Sequence, residues 1–208
     1  MSAGVSAGMS ASVVMNTGAG ACVAGVPGLL LDRDGVINVD HGYVYRIDQF
    51  EFMPGIFDLC RTARALGHRI AVVTNQAGIA RGLYSEADFH ALTAWMQARF
   101  VEEGASIDRV YFCATHPTAG IGAYRVDSNF RKPGPGMVLQ AAAELGLDLA
   151  RSTLVGDKAS DAQAGLTAGV GRIVVLRDAG NRYLEPLPPG CTVVSSLADA
   201  AACLAARP

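Results

Sequence analysis

Short apolar runs alternate with longer segments of helical character from residue 28 onward, and this alternation restricts the fold more than any other feature. The runs are continuously apolar, which is typical of strands covered on both faces of a sheet. Strands that alternate with helices in this way form parallel βαβ units. We predict an α/β, three-layer, Rossmann-like fold with a central, mainly parallel sheet of about five or six strands. The predicted strands cover residues 28–32, 69–75, 108–114, 152–157 and 172–176.

Residues typical of helix ends occur in the segments between these runs. Ser85 is placed to cap a helix whose apolar residues recur every three to four positions, and Gly104 is placed to end it. Pro135 stands near the start of another helix and Gly146 at its end. The remaining predicted elements are helices over residues 161–169 and 195–206 and, after residue 177, a loop with a short strand.

The composition is that of a globular protein with neither a nucleic-acid nor a membrane partner. Of the 208 residues, 50% are apolar and 17% are charged, and the net charge of −2 excludes a strongly basic surface. No apolar stretch reaches the roughly 18 residues of a membrane helix. The five cysteines are scattered without a CxxC pair, as in a reducing compartment. We expect a cytoplasmic monomer with one domain over residues 27–208, after a flexible leader over residues 1–26 that lacks Lys and Arg.

Four polar side chains stand where predicted strands end. Asp32, Thr74, Cys113 and Asp157 each close a different strand. In an open α/β sheet the ligand crevice lies beyond the carboxyl ends of the strands. We therefore expect these residues, which are far apart in the sequence, to converge on one edge of the sheet.

The residues at this edge have the chemistry of a phosphoryl-transfer site. Asp32 and Asp34 place two carboxylates in one turn, and a bound Mg²⁺ would relieve their repulsion and keep a nucleophile ionised. Magnesium prefers a few oxygen ligands plus water, so Asp32, the backbone carbonyl of Asp34 and Asp157 would suffice. The donors available for the phosphoryl oxygens are Thr74, Asn75 and Lys132.

Each of these features also has a simpler structural interpretation. The aspartate pair fits a helix cap, and a Thr-Asn pair fits the end of a strand. Lys158 and Asp161 fit a solvated ion pair at a helix start. Alternatively, Asp161 orients Lys158 or supports the outer shell of the metal. His41 fits an ordinary loop histidine as well as a substrate contact.

The order of four motifs favours the functional interpretation. "DRDG" at 32–35, "TNQ" at 74–76, "RKP" at 131–133 and "GDKASD" at 156–161 follow one another along the chain. With these motifs the sequence resembles the haloacid-dehalogenase-type (HAD) phosphatases over residues 28–177. It is most similar to the branch that contains the heptose 1,7-bisphosphate and histidinol-phosphate phosphatases. The resemblance implies the HAD fold without a large cap domain, so the site should be open.

The resemblance also implies roles for individual residues. Asp32 would be the nucleophile that forms an aspartyl-phosphate, and Asp34 would be the general acid and base. Asp32, Asp34 and Asp157 would hold Mg²⁺. The residues that would contact the phosphoryl group or the rest of the substrate are Asp40, His41, Gly42, Tyr43, Thr74, Asn75, Gln76, Ala77, Arg131, Lys132 and Lys158.

Several functions are compatible with these residues. The leading expectation is a Mg²⁺-dependent phosphatase that removes the 7-phosphate of D-glycero-D-manno-heptose 1,7-bisphosphate in ADP- or GDP-heptose synthesis for surface polysaccharide. Lys132 would serve the transferred phosphate, and Arg131, Lys158 or Arg81 the other one. The enzyme alternative is a histidinol-phosphate phosphatase. A phospho-acceptor signalling module is disfavoured, because an acid/base at Asp34 would shorten the signal. A catalytically silent sugar-phosphate binder is disfavoured by the complete set of acids and lysine.

One departure from the family concerns zinc. Many relatives bind zinc through Cys-x-His and a later Cys-x-Cys that precedes the Arg-Lys pair. Here Cys113 keeps the first position, but Thr115, Ser128 and Phe130 occupy the other three. A tetrahedral zinc site needs four N or S ligands, and an out-of-register His116 cannot supply them. We therefore predict that structural zinc is absent.

Overall fold

The computed structural model describes residues 25–177 and 185–205, and these residues form one parallel sheet with helices on both faces. The sheet has six strands in the order β3-β2-β1-β4-β5-β6, and all the pairings are parallel. The predicted fold class is therefore confirmed. The strands are β1 Gly28–Leu31, β2 Arg69–Asn75, β3 Arg109–Cys113, β4 Thr153–Gly156, β5 Arg172–Leu176 and β6 Cys191–Val194.

Four of the helices, α3 to α6, lie where the sequence pattern placed them. Ser85 caps α3 through a capping box, in which Asp88 N donates to Ser85 Oγ (3.1 Å) and Ser85 N donates to Asp88 Oδ2 (2.8 Å). Gly146 ends α4 in the left-handed conformation. The helices are α1 Ile56–Ala65, α2 Ala77–Ala80, α3 Glu86–Glu102, α4 Gly136–Leu145, α5 Ala159–Ala168 and α6 Leu197–Ala205.

Alternate residues of the central strand β1 enter two separate cores. Leu29 and Leu31 pack in the core formed with α1, α3 and α6, whereas Leu30 packs in the core formed with α4 and α5. All three leucines are 0% exposed. This burial on both faces is the physical reason for the unbroken apolar runs in the sequence.

The strands after β1 are added first on one side of it (β2 and β3) and then on the other (β4, β5 and β6). This strand order determines where a ligand can bind. β1 pairs with β2 on one side and with β4 on the other. Directly after β1, Asp32 N donates to Val155 O of β4 (3.0 Å). Such a switch point leaves a crevice outside the carboxyl ends of the strands. Asp32 follows β1 and Asp157 follows β4, so both aspartates lie in this crevice.

The segments around the crevice are loops. Residues 32–55 contain one 3₁₀ turn (Ile47–Gln49), and residues 114–135 contain another (Gly122–Tyr124). Over the described ranges there is accordingly no large cap domain, as expected. Val26 pairs with Leu147 at the start of the fold. Residues 1–24 of the predicted leader, and part of the predicted loop after residue 177, lie outside the described residues.

None of the helices in residues 25–177 and 185–205 has the length and apolarity needed to cross a membrane.

Candidate active site

Three buried carboxylates meet at the switch point of the sheet. Oxygens of Asp32, Asp157 and Asp161 all lie within 4.8 Å of one another. These residues are 6%, 3% and 1% exposed, respectively. Three carboxylates at this distance repel strongly in a buried setting, so the cluster requires positive charge.

Lys132 supplies one positive charge to this cluster. Its Nζ lies 2.9 Å from Asp32 Oδ1 and 2.5 Å from Asp161 Oδ1, and it donates to Val73 O (2.8 Å). Asn75 holds the Lys132 backbone from both sides, because Lys132 N donates to Asn75 Oδ1 and Asn75 Nδ2 donates to Lys132 O, each at 3.0 Å. The ammonium is therefore fixed by contacts from β1, β2 and α5.

The pKa values of Asp32 and Asp157 are raised, chiefly by burial. Burial raises the pKa of Asp32 to about 6, although Lys132 opposes the shift. Burial, and then the charge of Asp32, raises the pKa of Asp157 to about 8. Burial alone would lower the pKa of Lys132, but Asp161 and Asp32 outweigh it and the pKa is raised. A divalent cation beside Asp32 and Asp157 would oppose these shifts, because it favours the ionised carboxylates.

The backbone of the turn after Asp34 comes very close to the Asp157 carboxylate. Gly35 has a φ of +91°, and a Cβ at this position would lie 2.4 Å from Asp157 Oδ2. Any side chain here would therefore displace the carboxylate, whereas glycine lets the backbone of the turn approach it. Carboxylates and backbone carbonyls are the ligands that Mg²⁺ takes in proteins. The residues at this point fit a magnesium ion.

Asp34 lies in different surroundings from Asp32. Its Oδ1 accepts from Arg33 Nη2 (2.8 Å) and Asn38 Nδ2 (3.1 Å), and its Oδ2 accepts from Arg33 Nη2 (2.9 Å) and Gln76 Nε2 (3.2 Å). The Asp34 carboxylate does not belong to the cluster of Asp32, Asp157 and Asp161. The metal contact through the backbone carbonyl of Asp34 stays a prediction.

A cavity of about 480 Å³ opens over these groups. It brings together ten of the residues predicted from the sequence and adds Tyr84, Ser160, Asp161 and Glu185. The predicted residues in its wall are Asp32, Asp34, Asp40, Gly42, Tyr43, Asn75, Ala77, Arg131, Lys132 and Lys158.

Other predicted residues do not line this cavity. Thr74 and Gln76 are each 1% exposed and lie beneath its floor, where Gln76 Nε2 donates to Thr74 Oγ1 (2.9 Å). The exposed ring of His41 faces Glu51 (3.4 Å) and lines a neighbouring cavity of about 320 Å³. Arg81 is exposed and lies outside the wall of the larger cavity.

The cations around the cavity differ in their partners. Lys158 Nζ lies 3.2 Å from Asp40 Oδ2 and 3.7 Å from Asp157 Oδ2. Arg131 is partly buried and donates to Thr115 O (3.4 Å). No carboxylate within residues 25–177 and 185–205 lies at ion-pair distance from its guanidinium. Burial lowers the pKa of Arg131.

Two residues have larger parts in the site than the sequence indicated. Asp161 was expected to be solvated, to orient Lys158 or to support the metal; instead it is buried and pairs with Lys132. Its Oδ2 also accepts from the backbone N of Lys158 (2.9 Å). That contact is typical of the third residue of a helix, which was a usable signal in the sequence. Arg33, 1% exposed, pairs with Asp34 and lies 5.9 Å from the Phe89 ring centroid, and no local pattern indicates this.

The four positions that correspond to zinc ligands in relatives make other contacts here. Cys113 Sγ lies 3.3 Å from Thr115 Oγ1, and Ser128 Oγ accepts from Phe130 N (3.2 Å). His116 Nδ1 accepts from Ala119 N (3.0 Å) within its own loop. Tyr124 donates to Glu86 (3.1 Å) and ties the loop to α3.

Comparisons with known proteins agree with this geometry. Residues 129–200 match the HAD-hydrolase-like family. The chain is 60% identical over 150 residues to the D-glycero-alpha-D-manno-heptose-1,7-bisphosphate 7-phosphatase of Burkholderia mallei, covering 72% of this chain and 79% of the relative. It is 43% identical over 182 residues to the D-glycero-beta-D-manno-heptose-1,7-bisphosphate 7-phosphatase of Yersinia pestis, covering 88% and 97%.

A solved structure extends the comparison to three dimensions. The D,D-heptose 1,7-bisphosphate phosphatase of B. bronchiseptica, crystallised with magnesium and phosphate, matches with a TM-score of 0.74 and 31% identity over 86% of this chain and 98% of that one. The resemblance inferred from the four sequence motifs is thereby confirmed. Similarity over nearly the full length of such relatives means that the chain belongs to the HAD-like hydrolases, in the group of the heptose-1,7-bisphosphate 7-phosphatases.

Proposed function

We propose that this chain is a Mg²⁺-dependent phosphatase that removes the 7-phosphate of D-glycero-D-manno-heptose 1,7-bisphosphate in the synthesis of nucleotide-activated heptose. The observation that carries the proposal is the Lys132 ammonium, held 2.9 Å from Asp32 in the wall of a cavity of about 480 Å³. The names of the relatives at 60% and 43% identity support the substrate. The more similar of these two is named for the α anomer, which supports α as the preferred form.

The reaction proceeds in two steps that use two carboxylates. In the first step an oxygen of Asp32 bonds to phosphorus, and the bond from phosphorus to the sugar oxygen breaks. Asp34 gives its proton to the departing sugar oxygen. A water then attacks the phosphorus of the aspartyl-phosphate and gives a proton to Asp34. The bond to Asp32 breaks, and inorganic phosphate leaves.

The surroundings of the two carboxylates support this division of roles. Asp32 faces a buried ammonium and has no bidentate partner, so one oxygen can reach an incoming phosphorus. Asp34 is held by side-chain donors from Arg33, Asn38 and Gln76, which suits a group that transfers protons at a fixed place. Its side chain is 18% exposed, so water can reach it for the second step.

Lys132 binds the phosphoryl group during its transfer, and Asn75 positions Lys132. Both polar atoms of the Asn75 side chain bond to the Lys132 backbone, so we assign Asn75 to positioning the lysine. Thr74, which like Gln76 lies outside the cavity wall, accepts from Gln76 Nε2, so we assign it to holding Gln76.

Magnesium would be held by Asp32, Asp157 and the backbone carbonyl of Asp34. When bound, the ion supplies positive charge that offsets the phosphate and the carboxylates together. We assign Asp161 to holding Lys132 and not to the metal. Its oxygens already contact the Lys132 ammonium and the backbone N–H groups of Asp157 and Lys158.

Arg131 is the best candidate for the second phosphate. Lys132 and Lys158 each face a carboxylate, whereas Arg131 faces none among the described residues. A guanidinium can bind a phosphate through two parallel N–H groups. The sugar between the two phosphates would contact Asp40, Gly42, Tyr43, Ala77 and Lys158. We assign no substrate contact to His41 or Gln76, which lie outside the cavity wall.

We further propose a monomeric, cytoplasmic enzyme with one domain over residues 27–208 and no nucleic-acid or membrane partner. The net charge of −2 and the scattered cysteines support this setting.

Phosphate release from four substrates tests the function. The α and β heptose 1,7-bisphosphates, histidinol phosphate and a heptose monophosphate are compared with and without Mg²⁺. We expect kcat/KM for the α bisphosphate to exceed that for histidinol phosphate by on the order of 100-fold, because a cation left without its phosphate costs binding.

Asp32→Asn should lose at least about 10³-fold in kcat while it stays folded. Preference for histidinol phosphate, or full activity of Asp32→Asn, would contradict the proposal.

Arg131→Ala tests the second phosphate site. A charged hydrogen bond is worth about 1.5–3 kcal/mol, so kcat/KM for the bisphosphate should fall by about 10–100-fold. The value for a heptose monophosphate should change by less than about threefold, because its one phosphate occupies the other end. Arg125→Ala, an exposed arginine of the same loop outside the cavity wall, is the control. Equal losses on both substrates would rule out this assignment.

Asp157→Asn tests the metal site without using activity. Mg²⁺ at about 100 times its Kd should stabilise the metal-free wild type by about 2.7 kcal/mol, which raises Tm by roughly 5–10 °C for a chain of this size. In Asp157→Asn the rise should drop below about 2 °C, because one charged ligand is lost. Asp58→Asn, whose side chain is 78% exposed on α1, should keep the full rise. A full rise in Asp157→Asn would place the metal elsewhere.

Elemental analysis tests the absence of structural zinc. Protein purified without chelators should contain far less than one zinc per chain, because Thr115, Ser128 and Phe130 provide no N or S ligand. A stoichiometric zinc that resists dialysis would contradict this prediction.

A further inference from the structure

The Gln76 side chain lies beneath the floor of the cavity and contacts Asp34. Gln76 is 1% exposed and is absent from the cavity wall. Its Nε2 donates to Asp34 Oδ2 (3.2 Å) and to Thr74 Oγ1 (2.9 Å). A buried side chain that contacts Asp34 in this way can determine the direction of the Asp34 carboxylate.

The hydroxyl of Tyr84 holds the other polar atom of the Gln76 amide. Tyr84 O–H donates to Gln76 Oε1 at 2.6 Å. Burial raises the pKa of Tyr84 to about 12, so the hydroxyl keeps its proton at neutral pH. An ionised Asp34 carboxylate can only accept, so Nε2 faces it and Oε1 is left to accept from Tyr84. An amide turned the other way would place its carbonyl oxygen against a carboxylate oxygen, which is repulsive.

The chain around Tyr84 is built to hold that ring. Tyr84 is 7% exposed and stacks on Tyr45, with ring centroids 5.0 Å apart and planes inclined by 6°. A Cβ on Gly78 would lie 2.1 Å from the Tyr84 ring. Only glycine leaves space for the ring at this point, so Gly78 contributes to the placement of the hydroxyl on Gln76.

We propose that Tyr84 and Gln76 form a hydrogen-bond relay that positions the Asp34 carboxylate for proton transfer. Both are positioning residues that act through Asp34, and the inference rests on the proposed role of Asp34 as acid and base. Arg33 and Asn38 hold Oδ1, whereas Oδ2 is held by Arg33 and Gln76. Without Gln76, Oδ2 keeps one of these two donors, and the carboxylate can rotate away from the leaving group.

The test compares two leaving groups. The sugar oxygen needs a proton as it departs, whereas p-nitrophenolate leaves without one. kcat/KM reports only the steps up to departure of the leaving group. Gln76→Leu should therefore lower kcat/KM for the heptose bisphosphate by about 10–30-fold, within the 10²–10⁴ range of general-acid effects. On p-nitrophenyl phosphate the loss should be less than about threefold.

A double-mutant cycle tests whether Tyr84 acts through Gln76. Tyr84→Phe keeps the ring and should lower kcat/KM for the bisphosphate by about 3–10-fold, the worth of a neutral hydrogen bond. In the Gln76→Leu background the same change should have no further effect. Tyr111→Phe, which removes a hydroxyl that donates to Glu144 on α4, is the matched control and should match the wild type.

Two results would overturn the relay. Equal losses of Gln76→Leu on both substrates would indicate a general structural role, and an undiminished effect of Tyr84→Phe in the Gln76→Leu background would show that Tyr84 acts by another route. These outcomes differ from failure of the proposed function. A wild type that releases no phosphate from the bisphosphate contradicts that function, whereas an active wild type matched by Gln76→Leu contradicts the relay alone.

Discussion

The contact of the Lys132 ammonium with Asp32 and Asp161 is the interaction on which the site depends. A buried charge is costly unless it is paired and hydrogen-bonded. Lys132 meets this need with two carboxylates and Val73 O, but only because β1 and β2 end, and α5 begins, at the same place. The parallel sheet and its switch point at β1 create that meeting place. The fold thereby holds Lys132 next to the cluster of Asp32, Asp157 and Asp161.

The same edge of the sheet gives two neighbouring aspartates opposite surroundings. Asp32 turns into the acid cluster, where burial raises its pKa to about 6 in the absence of a metal. Asp34 turns towards Arg33, Asn38 and Gln76, which all donate to it. A nucleophile beside a cation site and a proton carrier in a fixed donor network are distinct tasks. The turn at Gly35 packs against Asp157.

Much of the fold and part of the site could be predicted from the sequence. β2 and β5 begin and end at the predicted residues, because strands buried on both faces leave unbroken apolar runs. Asp32 and Asp157 could be predicted to converge because topology alone brings strand ends together, whereas Lys132, which precedes α4, was predicted from the motif "RKP". The position of Asp161 in the first turn of α5 was a signal for its contact with the backbone of Lys158, but its pairing with Lys132, and the side-chain directions of Arg33 and Tyr84, depend on partners distant in sequence. Gln76 and His41 were predicted to contact the substrate, and both lie outside the wall of the cavity.

The most direct test of this mechanism is to identify the residue that accepts the phosphoryl group. The wild type, loaded with Mg²⁺, is mixed with the heptose bisphosphate, quenched in acid within the first turnover and mapped by peptide mass spectrometry. We predict a phosphoryl group on Asp32 that appears before free phosphate and decays as phosphate is released. Phosphorylation of another residue, or a first turnover that releases phosphate with no phosphorylated chain, would contradict covalent catalysis at Asp32.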